Sequence, residues 1–138
     1  MKNIMFGVFG VILGIIIGGL VNMGLIIASP GVIPLPEGVD PMDPVSLAEN
    51  IHRFSPQNFL MPFLAHALGT LVGAFIAGLM AKNNKLVYAL IIGGFFLIGG
   101  AMNVSVLPAP MWFNITDLVL AYIPMAFGGY LLSVKVRG

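Results

Sequence analysis

Four long runs of apolar residues divide this 138-residue chain, separated by one long and two short polar segments. A helix needs about 20 apolar residues to cross the hydrocarbon core of a bilayer. Four segments reach that length: residues 4–28, 59–81, 86–107 and 115–134. The strict alternation of a membrane β-barrel is not found in the sequence. The pattern therefore predicts an all-α membrane protein, a single-domain, up-down-up-down bundle of four transmembrane helices.

The long polar segment, residues 29–58, joins the first two spans. Its first half is rich in proline, which favours an extended chain. Asp43 followed by Pro44 is typical of a helix N-cap and first helical position. Apolar residues then follow at helical spacing, namely Leu47, Ile51 and Phe54. We predict a short amphipathic helix on the outer membrane surface. The alternative, which we favour, is a connecting helix that covers the bundle end.

Composition supports a bilayer environment, because 59% of the residues are hydrophobic and 8% are charged. Soluble domains carry about 25% charged residues. The first apolar run is too long for the h-region of a signal peptide, so we expect it to be retained. Of the six basic residues, Arg53 alone falls in the 29–58 loop. The other five fall on the opposite side of a four-span bundle: Lys2, Lys82, Lys85, Lys135 and Arg137. This bias predicts cytoplasmic N- and C-termini and a location in the cell (inner) membrane.

Several classes of function are disfavoured by the sequence. The net charge is +1 and no basic run is present, so we expect no nucleic-acid partner. The chain has no cysteine, which removes thiol chemistry and cysteine-bound metal. Its two histidines, His52 and His66, lie far apart in sequence with no close acidic pair, so we expect no metal and no cofactor. The expected partners are the lipid bilayer and either another membrane protein or further copies of the chain.

Small residues repeat every four positions within the spans. Such spacing lets helix backbones approach closely in a membrane, where packing drives association. These stripes are expected either to pack the four helices together or, in the first span, to mediate a homodimer. We favour internal packing because a monomer already needs such faces. The predicted packing residues are Gly10, Gly14, Gly18, Gly69, Gly73, Gly99 and Gly100.

Strongly polar residues inside the spans lie on these small-residue faces and at similar depth. Ionisable residues in a membrane interior indicate a functional site by default. The candidate polar pocket consists of Asn22, His66, Thr70, Asn103, Asp117 and Tyr122. In this hypothesis His66 carries a proton with Asp117 as its partner, and Pro124 kinks the fourth span beside them.

Each of these polar residues also has a purely structural interpretation. The asparagines would then form ordinary interhelical hydrogen bonds. His66 would be an interhelical histidine whose hydrogen bonds are satisfied. Asp117, three residues after Asn114, would cap the start of the fourth helix.

Three segments resemble a group of small bacterial four-span membrane proteins: residues 38–44, 67–75 and 107–113. The resemblance implies the four-span architecture and no particular activity. Small multidrug exporters are similar in size, but their membrane glutamate in the first helix has no counterpart in residues 4–28. Dual-topology fluoride channels have similar glycine-rich helices, but the charge bias here argues against dual topology.

Three functional hypotheses follow from these residues. The first is a non-enzymatic membrane protein that acts through helix association, as an accessory subunit or a small homo-oligomer. The second is a small transporter or channel that uses the cluster of Asn22, His66, Asn103 and Asp117. The third, a membrane enzyme acting on a lipid or quinone with His66 and Asp117 as acid and base, lacks a nucleophile or cofactor site. A water-accessible cavity at His66 and Asp117 would favour the second hypothesis over the first.

Overall fold

The structure, a computed structural model, describes residues 1–137. Within that range the chain forms helices and connecting segments and contains no strand. Two short 3-10 turns, Ile51–Arg53 and Pro56–Phe59, lie between the second and third helices. The six α-helices are α1 (Lys2–Val32), α2 (Pro44–Asn50), α3 (Leu60–Met80), α4 (Lys85–Val106), α5 (Met111–Leu120) and α6 (Ile123–Arg137).

Four helical stretches are long and apolar enough to cross a membrane, as expected of a multi-pass membrane protein. They are Lys2–Val32, Pro56–Met80, Lys85–Val106 and Met111–Arg137. The fourth stretch combines α5 and α6. Many large apolar side chains point outward from these helices, which suits a surface in contact with lipid.

The first span is longer than predicted, because α1 continues through Pro30 to Val32. Proline has no N–H to donate to the carbonyl four residues earlier, which here belongs to Ile26. The Ser29 hydroxyl donates to that carbonyl instead, at 2.8 Å. A serine side chain that satisfies the freed carbonyl is one way in which a membrane helix tolerates proline.

The fourth span begins earlier than residue 115 and is interrupted in its middle. Helix α5 begins at Met111, directly after Pro110. The regular α-helix is interrupted at Ala121 and Tyr122 before α6 begins at Ile123. Pro124 therefore occupies the first turn of α6, where a missing N–H is tolerated. The break separates the helix that carries Asp117 from the helix that ends at Arg137.

Helix α3 lies at the centre of the bundle and packs against α1, α4 and α6. Its contact with α1 depends on glycines. A Cβ atom added at Gly14 would lie 2.5 Å from the carbonyl oxygen of Gly73, and one at Gly18 would lie 2.5 Å from that of Gly69. Neither position has room for a side chain. The Gly10, Gly14 and Gly18 face is thus covered by α3.

One of the predicted packing glycines lies elsewhere. A Cβ atom at Gly99 would meet no atom within 4 Å among the described residues, and Gly99 is exposed. The prediction that Gly99 packs against a neighbouring helix is therefore wrong. The four-residue spacing identifies a small-residue face but not which of two adjacent glycines points inward. At Gly100 an added Cβ would overlap the Tyr122 ring.

The 29–58 loop folds over one end of the bundle. The predicted N-cap is confirmed, because the Asp43 side chain accepts a hydrogen bond from the Val45 N–H at 3.0 Å. Buried Asn58 joins the two ends of the loop. Its Nδ2 donates to the Pro34 carbonyl at 2.9 Å, and its Oδ1 accepts from the Ser55 N–H and hydroxyl, also at 2.9 Å. The loop is therefore fastened to itself near both of its ends.

Candidate functional site

Three ionisable side chains form one hydrogen-bonded group in the interior of the bundle. His66 Nδ1 lies 2.8 Å from Asp117 Oδ1, and the Tyr122 hydroxyl donates to Asp117 Oδ2 at 2.8 Å. The rings of His66 and Tyr122 stack with their centroids 5.8 Å apart. Asp117 is 3% exposed and Tyr122 is 2% exposed. We refer to these three residues as the His–Asp–Tyr cluster.

Each member of the cluster is held by a different part of the fold. His66 lies on α3, Asp117 lies on α5, and Tyr122 lies in the break before α6. Gly100 of α4 faces the Tyr122 ring, and a side chain there would overlap the tyrosine hydroxyl. The cluster therefore joins the central helix to both halves of the fourth span. Gly100 leaves the space that the Tyr122 hydroxyl occupies beside Asp117.

The roles of the three groups follow from the donors and acceptors that each one offers. As a carboxylate, Asp117 accepts hydrogen bonds and has none to donate, so His66 Nδ1 carries a proton in this pair. The second ring nitrogen, Nε2, makes no hydrogen bond with any of residues 1–137, and His66 is partly exposed to the cavities described below. Nε2 is thus available as a hydrogen-bond acceptor in the neutral ring and as a donor when His66 is protonated.

Two cavities adjoin the cluster in the half of the bundle under the 29–58 loop. The larger has a volume of about 520 Å³ and is lined by both His66 and Asp117. The smaller, of about 320 Å³, is lined by His66 and Tyr122. Both are within or near the ~300–1,000 Å³ range of small-molecule sites. Because they share several lining residues, we treat them as one site, called here the outer cavity. The shared residues are Asn22, His66, Gly100, Met102 and Asn103.

The other predicted pocket residues lie near the cluster without bonding to it. Asn22 and Asn103 line both cavities. The side-chain oxygen of Asn22 is buried and has no hydrogen-bond partner in the described part of the chain. Asn103 is exposed. Thr70 is fully buried, and its hydroxyl donates to the His66 carbonyl at 2.8 Å rather than to a side chain of the cluster.

The capping role considered for Asp117 does not match the structure. Because α5 begins at Met111, Asp117 lies in the second turn of the helix and not near its N-cap. Asn114 donates its side-chain N–H to the Ala109 carbonyl at 3.3 Å. Both carboxylate oxygens of Asp117 are directed at the cluster instead. The spacing of Asn114 and Asp117 suggested a cap because the apolar run places the helix start at residue 115, whereas α5 begins four residues earlier, at Met111.

The 29–58 loop contributes to this site, which was not predicted. Three of its residues line the larger cavity: Leu47, Ile51 and Phe54, which were predicted either to face a membrane surface or to cover the bundle end. Their helical spacing signals an apolar face, but it does not say what that face covers. The structure places a cavity of the bundle beneath it. Ile51 is buried there, at 6% exposed.

No group of three or more His, Asp or Glu side chains within residues 1–137 is arranged to hold a metal ion. The cluster supplies one imidazole, one carboxylate and one phenol. These groups can bind, donate and accept protons, and they can hydrogen-bond a small polar group placed at His66 Nε2.

Compared with protein-family models, with curated proteins and with solved structures, the chain shows no match. The geometry of the outer cavity and its cluster is therefore the basis for assigning a function.

Proposed function

We propose that this protein is a small membrane transporter in which the outer cavity takes up a solute together with a proton carried by His66. The observation that carries this proposal is the His–Asp–Tyr cluster at the wall of a cavity of about 520 Å³. Bonded ionisable residues inside a membrane bundle are costly, and in membrane proteins they mark proton relays and substrate pathways.

Charge balance gives the cluster a two-state character. With His66 protonated, the imidazolium and the Asp117 carboxylate cancel, and the cluster is neutral. With His66 neutral, the carboxylate leaves a net negative charge among apolar helices, which is unfavourable in a low-dielectric interior. A proton that arrives or leaves therefore changes the local charge by one unit. Such a change can be coupled to solute binding in the same cavity.

The broken fourth span supplies a mechanical link to this site. Tyr122 belongs both to the cluster and to the break between α5 and α6. Discontinuous helices at a binding site near the middle of the bilayer are a recurring feature of transporters, because the two halves can rock separately. We expect changes in the Tyr122–Asp117 hydrogen bond to alter the angle between α5 and α6.

The proposal includes an orientation. An up-down-up-down arrangement would place the five basic residues outside the 29–58 loop on one side of the membrane, and positive charge favours the cytoplasm. Both termini are then cytoplasmic, the protein resides in the cell membrane, and the outer cavity opens in the leaflet farther from the cytoplasm. The 29–58 loop, with its four acidic residues Glu37, Asp40, Asp43 and Glu49, faces outward.

Association through the first span receives less support. The Gly10, Gly14 and Gly18 face that was the candidate for a homodimer is covered by α3. A partner subunit or a second copy would have to use another face. The cavity at His66 and Asp117 is the feature that favours transport over a purely associative role.

A solute-free measurement tests the proton site directly. The protein is reconstituted in liposomes on a solid-supported membrane, and the outside pH is stepped. We expect a transient current as protons reach His66 within the bundle, and we expect His66→Gln and Asp117→Asn to abolish it. The matched control is His52→Gln, because His52 is exposed in the loop. Absence of a transient in the wild-type protein, or an equal transient in His66→Gln, contradicts the proposal.

A further inference from the structure

The wall of the outer cavity is apolar except around the cluster. Side chains of α1, of the 29–58 loop and of the α4 end make up most of the lining. Three of its polar lining residues, Ser29, Asn58 and Asn114, already donate their side-chain hydrogen bonds to backbone carbonyls. The others are His66, Asn22, Asn103 and Asp117. The apolar part includes Met23, Ile26, Leu47, Ile51, Phe54, Met102, Val106 and Phe113. A water-soluble solute would leave most of this wall without a complementary partner, whereas an amphiphile would match both parts.

The cavity opens sideways between α1 and α4. Met23 of α1 is 50% exposed and Met102 of α4 is 65% exposed, yet both line the cavity. Deeper in the bundle α1 and α4 are in contact, since a Cβ atom at Gly18 would lie 3.2 Å from the Phe96 ring. The two helices therefore part near Asn22 and Gly100. Because α1 and α4 are both long and apolar enough to span the membrane, the gap between them faces lipid.

The polar end of the cavity presents hydrogen-bond acceptors. The Asn22 side-chain oxygen is buried and has no partner among residues 1–137. A buried acceptor without a partner is costly, and it points to a group that the structure does not contain. His66 Nε2 is a second acceptor whenever the ring is neutral, because Nδ1 holds the proton that faces Asp117. A ligand that satisfies the Asn22 oxygen must donate a hydrogen bond, and a single hydroxyl is enough for that.

Together these features define a class of ligand. We infer that the outer cavity binds a lipid-soluble amphiphile with a hydroxyl head group, which enters sideways from the bilayer between α1 and α4. The hydroxyl donates to Asn22 Oδ1, and the apolar body lies against the wall under the loop. This inference rests on the proposed function in that it specifies the solute of the same cavity, but binding can be tested apart from transport.

The probe is a hexadecanol that carries a diazirine in its chain, with the methyl ether of the same molecule as the control. The ether keeps the apolar body but cannot donate a hydrogen bond. The wild-type protein in lipid nanodiscs is photolabelled with each, and labelled peptides are identified by mass spectrometry. We expect the alcohol to label cavity residues such as Met23 and Phe54 about tenfold more than the ether, the ratio expected for one hydrogen bond to a buried acceptor.

Asn22→Leu removes the unpaired acceptor and keeps a similar side-chain size. We expect the alcohol to lose its advantage over the ether in this variant, while thermal stability stays equal or rises because a buried unsatisfied oxygen has been removed. Asn83→Leu is the matched control, since Asn83 is exposed in the turn between α3 and α4. A purely structural Asn22 would instead lower stability when replaced and leave labelling unchanged.

Equal labelling by alcohol and ether overturns the inference and indicates that the cavity holds the acyl chain of an ordinary lipid. An alcohol preference that persists in Asn22→Leu also overturns it, because the hydroxyl is then not bound by the Asn22 oxygen. The pH-step current separates this result from failure of the proposed function. A current without alcohol preference leaves the proton site in place and rejects the ligand class. Alcohol preference without a current supports the ligand class and rejects transport.

Discussion

Asp117 is a carboxylate inside a membrane-spanning helix, and each of its two oxygens accepts one hydrogen bond from another ionisable side chain. An unpaired carboxylate at this depth would be strongly unfavourable. His66 and Tyr122 therefore each offset part of the free energy that burying the Asp117 charge costs, which a hydrogen bond at the protein surface would not do. Replacing either partner should affect stability as well as any proton chemistry.

Removal of the Tyr122 hydroxyl tests this arrangement with little change in shape. We expect Tyr122→Phe to lower the free energy of unfolding by about 1–2 kcal/mol, because Asp117 loses one of two donors. Thermal unfolding in detergent measures the change. Tyr88→Phe is the control, since Tyr88 is also partly buried but lies on α4 outside the His–Asp–Tyr cluster. Equal losses in the two variants would contradict the assigned role of the Tyr122 hydroxyl.

The adjacent glycines Gly99 and Gly100 offer a second test at this scale. Gly100→Ala should displace the Tyr122 hydroxyl from Asp117 and cost about 1–3 kcal/mol, the typical effect of overpacking. Gly99→Ala should be neutral or stabilise the helix by up to about 1 kcal/mol, because its Cβ meets no atom within 4 Å in the described chain. Chemical denaturation compares the pair. If Gly99→Ala lowered the free energy of unfolding more than Gly100→Ala, the assigned orientation of α4 about its axis would be wrong.

At the scale of the helices, the glycines of α1 and α3 define a close backbone contact. Gly14→Leu should separate α1 from α3, because its Cβ would lie 2.5 Å from the Gly73 carbonyl oxygen. The neighbouring variant Gly19→Leu points into open space and should fold normally. Size-exclusion profiles and protease resistance distinguish the two. Intact, wild-type-like behaviour of Gly14→Leu would refute the close packing.

The end of α1 depends on one side chain. Ser29→Ala leaves the Ile26 carbonyl without its hydroxyl donor beside Pro30. We expect the last turn of α1 to loosen by about 1 kcal/mol, with faster hydrogen exchange at Ile33, whose N–H donates to the Ser29 carbonyl. Ser105→Ala is the control. The exposed Ser105 hydroxyl donates to the Ala101 carbonyl in α4, where no proline has removed a backbone hydrogen bond. Unchanged exchange at Ile33 would show that Ser29 is dispensable.

The sequence predicted the number of membrane-crossing helices well, because twenty apolar residues in a row have few other solutions in a folded protein. It was less accurate at helix ends. The apolar runs did not show that Ser29 would carry α1 past Pro30, or that α5 would begin at Met111. Proline signals a helix end only when no neighbour satisfies the carbonyl it frees, and that depends on a single side chain.

The site was predictable only in part for a related reason. His66, Asp117 and Tyr122 were predicted to share a pocket because they lie at similar depth in their spans and on small-residue faces. In the structure these three side chains are hydrogen-bonded to one another through Asp117. Asn22 and Asn103 were placed in the same set but line the cavity without bonding. The helical spacing of Leu47, Ile51 and Phe54 left two placements open, a membrane surface and the bundle end. It did not predict the cavity that they line, because contacts between a loop and a distant helix leave no periodic pattern.

For the whole molecule, topology in the membrane is the property with the most direct test. The chain has no cysteine, so single cysteines can be introduced without a background. We expect Ser46→Cys, in α2, to react with a membrane-impermeant maleimide added outside intact cells. Asn83→Cys should react only after the membrane is opened, because the proposed orientation puts it in the cytoplasm. The reverse pattern, or labelling of both from outside, would overturn the orientation.

The hydrogen bonds of Asn58 have a consequence for how the outer cavity opens. They join Pro34 to Asn58, positions 24 residues apart, and so turn most of the 29–58 loop into a closed ring. Closing a ring lowers the conformational entropy of the loop, at a cost that grows only slowly with loop length. The closed ring holds Leu47, Ile51 and Phe54 over the outer cavity without a covalent crosslink. A ligand that follows the proposed route between α1 and α4 is therefore admitted while the ring stays closed.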